Sequence, residues 1–189
     1  GVRYKEPKLK IMGVEAVKSS TPAACREKIK EALTIIMNED DKVLNSFIQD
    51  FRTEFMNLKP ELIAYPRSVN GLTKWTESHN LFKKGAPIHC KGAILYNHLL
   101  QDKKLQGKYP YIQEGDKIKF LHMKTPNVYQ STSISFMTKL PNELNLHNFI
   151  DYDMQFEKSF VEPLKFITNI IQWNIDSSYG TQGTLEGFF

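Results

Sequence analysis

Apolar positions recur along this chain mostly at helical spacing, interrupted by stretches that alternate. Residues 8–14 (KLKIMGV) set Lys8 and Lys10 against Leu9 and Ile11, the period of a strand with one basic face. Cys25, Ile29, Leu33 and Ile36 then return every three or four residues, which predicts a helix with one buried side. Thr21 fits its N-cap and Pro22 its first helical position. The acidic run Glu39-Asp40-Asp41 reads as the end of this helix and the start of another. The second helix carries Val43, Phe47, Phe51, Phe55 and Leu58 and stops at Pro60. A stripe of this kind is core.

Residues 61–88 read as irregular, broken by Pro66, Asn70-Gly71, Gly85 and Pro87. Ile88, Ala93, Ile94, Leu95 and Leu99 predict a third helix over 87–101. Residues 110–124 and 131–139 read as strands, with Glu114-Gly115-Asp116 as a tight turn. Asp151 opens a last helical stretch with Phe156, Phe160, Leu164, Ile167 and Ile171, which Pro163 should kink or interrupt. Beyond Trp173 the run Ser177-Ser178-Tyr179-Gly180-Thr181 predicts a flexible linker before a final apolar tip. The expected class is α+β: a short β segment, a mainly helical body with a small antiparallel β element, and a flexible C-terminal tail.

Composition adds little to this outline. The chain has 189 residues, 41% hydrophobic and 24% charged, as ordinary soluble domains are. Its two cysteines, Cys25 and Cys90, make no disulfide framework, and no secretory signal is visible, so a reducing cytosol is expected. No apolar run reaches the roughly 18 to 20 residues needed to span a bilayer, so no membrane partner is expected.

Charge changes the picture more. The net charge of +4 is unevenly placed. Residues 1–30 hold eight Lys/Arg against three Asp/Glu, and residues 82–124 hold nine against three. Residues 31–81 and 140–189 are net acidic. Two basic segments suggest a polyanion met at two places, though solvated lysines on ordinary surfaces would read the same way.

Three groups of residues carry possible chemistry. Lys18-Ser19-Ser20-Thr21-Pro22 precedes a helix start, where free N–H groups and a partial positive charge could seat a phosphate. Plain N-capping explains the same residues. Phe82-Lys83-Lys84-Gly85-Ala86-Pro87-Ile88-His89-Cys90-Lys91-Gly92 places Lys84, His89 and Lys91 in a loop and helix start that could grip a duplex backbone. A lone His89 fits a structural role equally well. Gln182, Leu185, Phe188 and Phe189 follow the pattern Gln, two residues, aliphatic, two residues, two aromatics. A short 3₁₀ turn puts Leu185 and Phe188 on one side, and with Phe189 they form an apolar plug that wants a pocket, on a partner or on this chain. Asp151 and Asp153 resemble a metal pair, but at a helix start they read as charge complementing the dipole. No catalytic set and no metal ligands are assigned.

Read together, these residues resemble a known family. Gly1-Val2-Arg3-Tyr4-Lys5-Glu6-Pro7-Lys8-Leu9-Lys10-Ile11-Met12-Gly13-Val14-Glu15, followed by Lys18-Ser19-Ser20-Thr21-Pro22, resembles the last palm segment of family-B DNA polymerases of the T-even bacteriophage type. Ile88 to Asn97, Glu114-Gly115-Asp116-Lys117-Ile118 and Asp151 to Leu164 resemble parts of that family's thumb. The likeness is weakest over 61–82 and 125–145.

The resemblance implies domains: palm end over 1–20, thumb over 21–174, and a flexible tail with a sliding-clamp-binding peptide over 175–189. It implies primer–template duplex DNA as partner, contacted by Lys8, Lys10, Lys18, Ser19, Ser20, Lys84, His89 and Lys91 without sequence readout. It implies a clamp docked by Gln182, Leu185, Phe188 and Phe189. The family's catalytic aspartates, fingers and exonuclease lie N-terminal to the matching stretch. A further partner is therefore expected, an N-terminal polymerase portion carrying these parts. No cofactor is expected in this segment, and divalent metal (Mg) belongs to the complete polymerase. Alone the chain is expected to be inactive. The implied setting is the cytoplasm of an infected bacterial cell. A free-standing DNA- and clamp-binding module is the competing reading.

Overall fold

The computed structural model describes residues 17–175. They fall into two compact units. One gathers Ala24–Asn57 with the residues from Phe156 onward; the other holds Ser19–Ala23 and Leu58–Gln155.

The first unit is helical. Its first helix, α1 (Ala23–Asn38), begins one residue later than expected, with Thr21 and Pro22 buried ahead of it. Its inward residues are Cys25, Ile29, Ala32 and Ile36, while Leu33 is only half-buried. The next helix, α2 (Asp41–Phe55), buries Leu44, Ile48, Phe51 and Phe55. Val43 is 40% exposed and Phe47 half-buried, against expectation. The cause is helical geometry. Steps of four residues overshoot a 3.6-residue turn and drift around the helix, whereas steps of four, three and four return to one side. The acidic junction does divide the helices: the Asp40 carboxylate accepts the Val43 N–H at 3.0 Å.

Phe51 and Phe55 pack with Phe156 and Phe160 from the other end of the chain, with ring centroids 4.7 Å apart for Phe51–Phe160 and 5.2 Å for Phe55–Phe156. Edge-on rings at these separations add to the area they bury. Pro163 acts as expected, and its effect has a definite form. An α-helical path would drive its ring against the Ser159 carbonyl. The chain instead makes a π turn (Glu157–Val161), with the Glu162 N–H donating to the Glu157 carbonyl five residues back, before the next helical segment at Glu162–Ile170.

The second unit is built on a three-stranded antiparallel sheet. Its strands are β1 (Tyr65–Ser68), β2 (Lys117–His122) and β3 (Ser133–Phe136), in the order β1-β2-β3. Region 61–88 is therefore not irregular throughout. It contains β1 and two single-turn helices, α3 (Pro60–Ile63) and α4 (Leu72–Trp75). Pro66 is tolerated because β1 is an edge, where a missing N–H need not face a neighbour. Pro60 opens α3 instead of ending α2, which stops at Phe55. The strand expected over 110–124 starts only at Lys117, because residues 113–116 close the predicted turn with Gly115 at φ +84°, and the one expected over 131–139 narrows to Ser133–Phe136. The Glu114 carboxylate then accepts the N–H groups of Gly71 and, at 2.8 Å, Leu72, tying that turn to the start of α4.

The long helix of this unit, α5 (Ile88–Asp102), matches its expected range and crosses β3 closely. This close crossing demands glycine: a Cβ on Gly92 would stand 2.6 Å from the Ser135 nitrogen and 2.8 Å from the Ile134 carbonyl carbon. Ser133 and Ser135 donate their hydroxyls to the carbonyls of Ile88 and His89, at 2.6 and 2.9 Å. Gln155 is wholly buried, accepting from the His122 N–H and donating to the Ile63 carbonyl. It precedes the end of α6 (Tyr152–Phe156), whose start Asp151 caps by accepting the Met154 N–H at 3.0 Å.

Candidate nucleic-acid interface

The stretch leading into α5 is held from behind by backbone bonds. Thr76 pairs antiparallel with Phe82, and the Lys83 N–H donates to the Trp75 carbonyl at 2.8 Å. Residues 83–86 then turn, closed by the Ala86 N–H on the Lys83 carbonyl, with Gly85 at φ +85°. Only glycine adopts that conformation without strain. Lys83 and Lys84 are thereby set exposed on the turn. Pro87 follows as the N-cap of α5 and supplies no side-chain cap. An N-terminus of this kind keeps N–H groups and a partial positive charge available to an anion.

The two other candidates on α5 diverge. His89 and Lys91 are two residues apart, so they do not share a helix face. Lys91 lies with its Nζ 5.5 Å from the Phe82 ring centroid. His89 points the other way: it donates to the Ser68 backbone, and its ring is 6.3 Å from that of Phe120. Burial, and then the charge of Arg67, lower its pKa below the ordinary histidine value. Near neutral pH His89 is uncharged and structurally engaged.

Arg67 was not singled out from the sequence, because it lies in the net-acidic segment 31–81. Only the pairing of β1 with β2, which sets Ser68 opposite Lys117, gives the exposed pair Arg67 and Lys117 neighbouring strands beside the start of α5. Lys119 is already committed, donating to the Glu61 carbonyl at 3.2 Å.

In the first unit the Lys18 carbonyl accepts from Arg26 at 2.8 Å. Lys18 and Ser19 are exposed and Ser20 half-buried, ahead of α1 as the sequence implied. Lys8 and Lys10, like Gln182, Leu185, Phe188 and Phe189, lie outside the described residues.

Among the described residues no three His, Cys, Asp or Glu side chains gather to hold a metal ion. Both cysteines are buried. Burial pushes the Cys25 thiol up to about 11, with a partly offsetting bond to Ser159, and raises Cys90 as well. Neither is a ready nucleophile. No helix among the described residues is long and apolar enough to cross a membrane.

Fold and surface together describe an α+β segment with a lysine-tipped turn leading into an uncapped helix start. No protein-family model matches the chain. It is, however, 31% identical over 166 residues to the DNA-directed DNA polymerase of Enterobacteria phage T4, covering 86% of this chain and 18% of that protein. It is 32% identical over 174 residues to the DNA-directed DNA polymerase of Escherichia phage RB69, covering 89% of this chain and 19% of that protein. The chain is thus a relative of the T4-like phage DNA polymerases, as its sequence resemblance implied. It spans about a fifth of the length of the curated relatives it matches.

Proposed function

We propose that this chain serves as the C-terminal palm and thumb part of a replicative, family-B DNA polymerase. In this reading residues 1–20 end the palm, residues 21–174 form the thumb, and residues 175–189 carry a sliding-clamp-binding peptide. The observation that carries it is similarity to two phage DNA polymerases along nearly nine-tenths of the chain. The turn bearing Lys84 and the uncapped start of α5 support it physically.

The thumb's work is to hold the primer–template duplex by its backbone. Lys18, Lys84 and Lys91 neutralise phosphates and release condensed counterions, with Lys8 and Lys10 adding charge from the palm segment. Ser19 and Ser20 donate hydroxyls to phosphate oxygens. Arg67 joins this set from β1. His89 adds a charge to the grip only below its lowered pKa; near neutral pH it shapes the surface through Ser68 and Phe120. None of these interactions reads base identity, as a replicative enzyme requires.

Gln182, Leu185, Phe188 and Phe189 dock the clamp, and the tether raises the effective concentration of polymerase at the primer end. Phosphoryl transfer belongs to the N-terminal portion. There the catalytic aspartates would hold divalent metal, beside the fingers and exonuclease.

Primer extension tests the reading directly. The chain is assayed alone and mixed with an N-terminal polymerase portion that bears the catalytic motifs. Extension in the mixture only is expected. Extension by the chain alone would overturn the assignment of the chemistry to the partner. Duplex and clamp binding without extension in either tube would favour a free-standing binding module.

A further inference from the structure

A cleft of about 670 Å³ opens in the second unit between α4, the 76–82 loop, one side of α5 and residues 111–113. Leu72, Leu81 and Ile94 give it apolar walls, and Tyr111, 39% exposed, offers an aromatic ring. The backbone next to that ring is held in place. The Asn97 side chain on α5 donates to the Ile112 carbonyl at 2.9 Å and accepts the Ile112 N–H at 2.8 Å. The pair of bonds locks the segment carrying Tyr111 and Gln113 against the helix.

The polar lining is mostly uncharged. Gln101 and Gln113 present exposed amides, each able to donate and accept, and Glu77 offers a carboxylate acceptor. Among the described residues no Lys or Arg lines the cleft. Cations stand beyond it instead. Lys104 follows Gln101 by less than one helical turn, and its N–H bonds the Gln101 carbonyl. At the other side Lys83 is tied to the Trp75 carbonyl at the end of α4.

We propose that this cleft binds an unpaired base of single-stranded DNA. An apolar wall, an aromatic ring and exposed amides are the means by which proteins stack an unstacked base and bond its edge. The volume falls within the range of small-ligand pockets and accommodates a base with its sugar. The phosphates stay outside, toward Lys83 and Lys104. Glu77 favours bases with an exocyclic amino group, so cytosine suits the site better than thymine. Lys83 stands on the same turn as Lys84 of the duplex grip, but a base in this cleft has left its stack and its pair, so filling the cleft does not require a duplex.

Fluorescence anisotropy with the full chain tests the proposal, using a dC 12-mer, a dT 12-mer and an abasic 12-mer of equal charge. Tyr111→Ala should weaken the dC 12-mer roughly 5- to 100-fold while leaving the abasic strand unchanged. Duplex affinity should stay at the wild-type value. The dC 12-mer should bind wild type more tightly than the dT 12-mer, and Glu77→Gln should narrow that gap. An unchanged dC 12-mer, or equal losses on dC and abasic strands, overturns the proposal; so does an equal loss on duplex, which would assign Tyr111 to the backbone grip. Should Tyr111→Ala fail to fold, photocrosslinking of a 5-iodo-dC 12-mer to wild type decides. Adducts on Tyr111 or on His98, which lines the cleft from α5, support the site, and adducts only outside the cleft overturn it.

Discussion

Single residues carry much of the second unit's geometry, and Gly92 carries the most local of it. A methyl group there meets backbone atoms of β3, which cannot rotate away as a side-chain tip can. Gly92→Ala should therefore destabilise the protein by about 1 to 3 kcal/mol, as overpacking does. Urea unfolding would show it, and an unchanged midpoint would mean that α5 does not lie this close to β3. Cys25 gives a pH-dependent counterpart. Its folded thiol titrates at about 11, above the ordinary value of 9.0. Below pH 9 both states are protonated and the stability is fully present. Between pH 9 and 11 the unfolded thiol ionises while the folded one keeps its proton, so stability falls, by about 3 kcal/mol in all. Unfolding of wild type and Cys25→Ala between pH 8 and 11 isolates this effect, since other raised groups such as Tyr96 cancel in the difference. Parallel pH curves for the two proteins would refute it. His89 and Arg67 teach a further lesson. A histidine in a basic stretch reads as a phosphate ligand, yet its charge state is set by burial and by an arginine 22 positions earlier that only strand pairing brings close.

At the scale of elements, the long helices were legible in the sequence and the short elements were not. The presence of α1, α2 and α5 follows from apolar periodicity, although α2 ends at Phe55, short of Pro60, and Asp40 behaves as the junction residue it looks like. Asp40→Ala should cost about 1 kcal/mol of stability, read by thermal unfolding. Within each helix the inward face was harder to read, because several apolar residues compete for it. Val43 and Leu33 give way to Leu44 and Ala32, which align with their neighbours over successive turns. The elements α3, β1 and α4 span four residues each, too few for any period to show. Their stability comes from partners far along the chain. The Glu114 carboxylate on the N–H groups of Gly71 and Leu72 is one such partner. Glu114→Ala should speed amide hydrogen exchange over residues 70–76 at least several-fold and leave the centre of α5 protected. Equal exchange in both proteins would show that α4 is held by something else.

For the molecule as a whole, duplex binding should follow electrolyte rules. Lys84→Ala and Lys91→Ala should each lower affinity evenly across DNA sequences and flatten the salt dependence by about one unit for each phosphate left without its lysine. A weakening confined to particular sequences would contradict backbone gripping. Arg67→Ala belongs in the same series although its segment is acidic overall. Phe188→Ala combined with Phe189→Ala should abolish clamp binding in a pull-down and leave duplex affinity intact; retained clamp binding would remove the tail from the proposal. By itself the sequence determined the α+β class, the long helices, the turn at Gly115, the interruption before Pro163 and the kinship with phage polymerases. Each of these rests on local spacing or on residue identity along the chain, which needs no folding to be seen. Only the tertiary structure decided that β1 joins the sheet, that His89 and Lys91 face apart, that Arg67 stands beside His89, and that Tyr111 lines a cleft. These facts depend on the meeting of residues distant in sequence, and the packing of sheet against helix selects them where no local preference can.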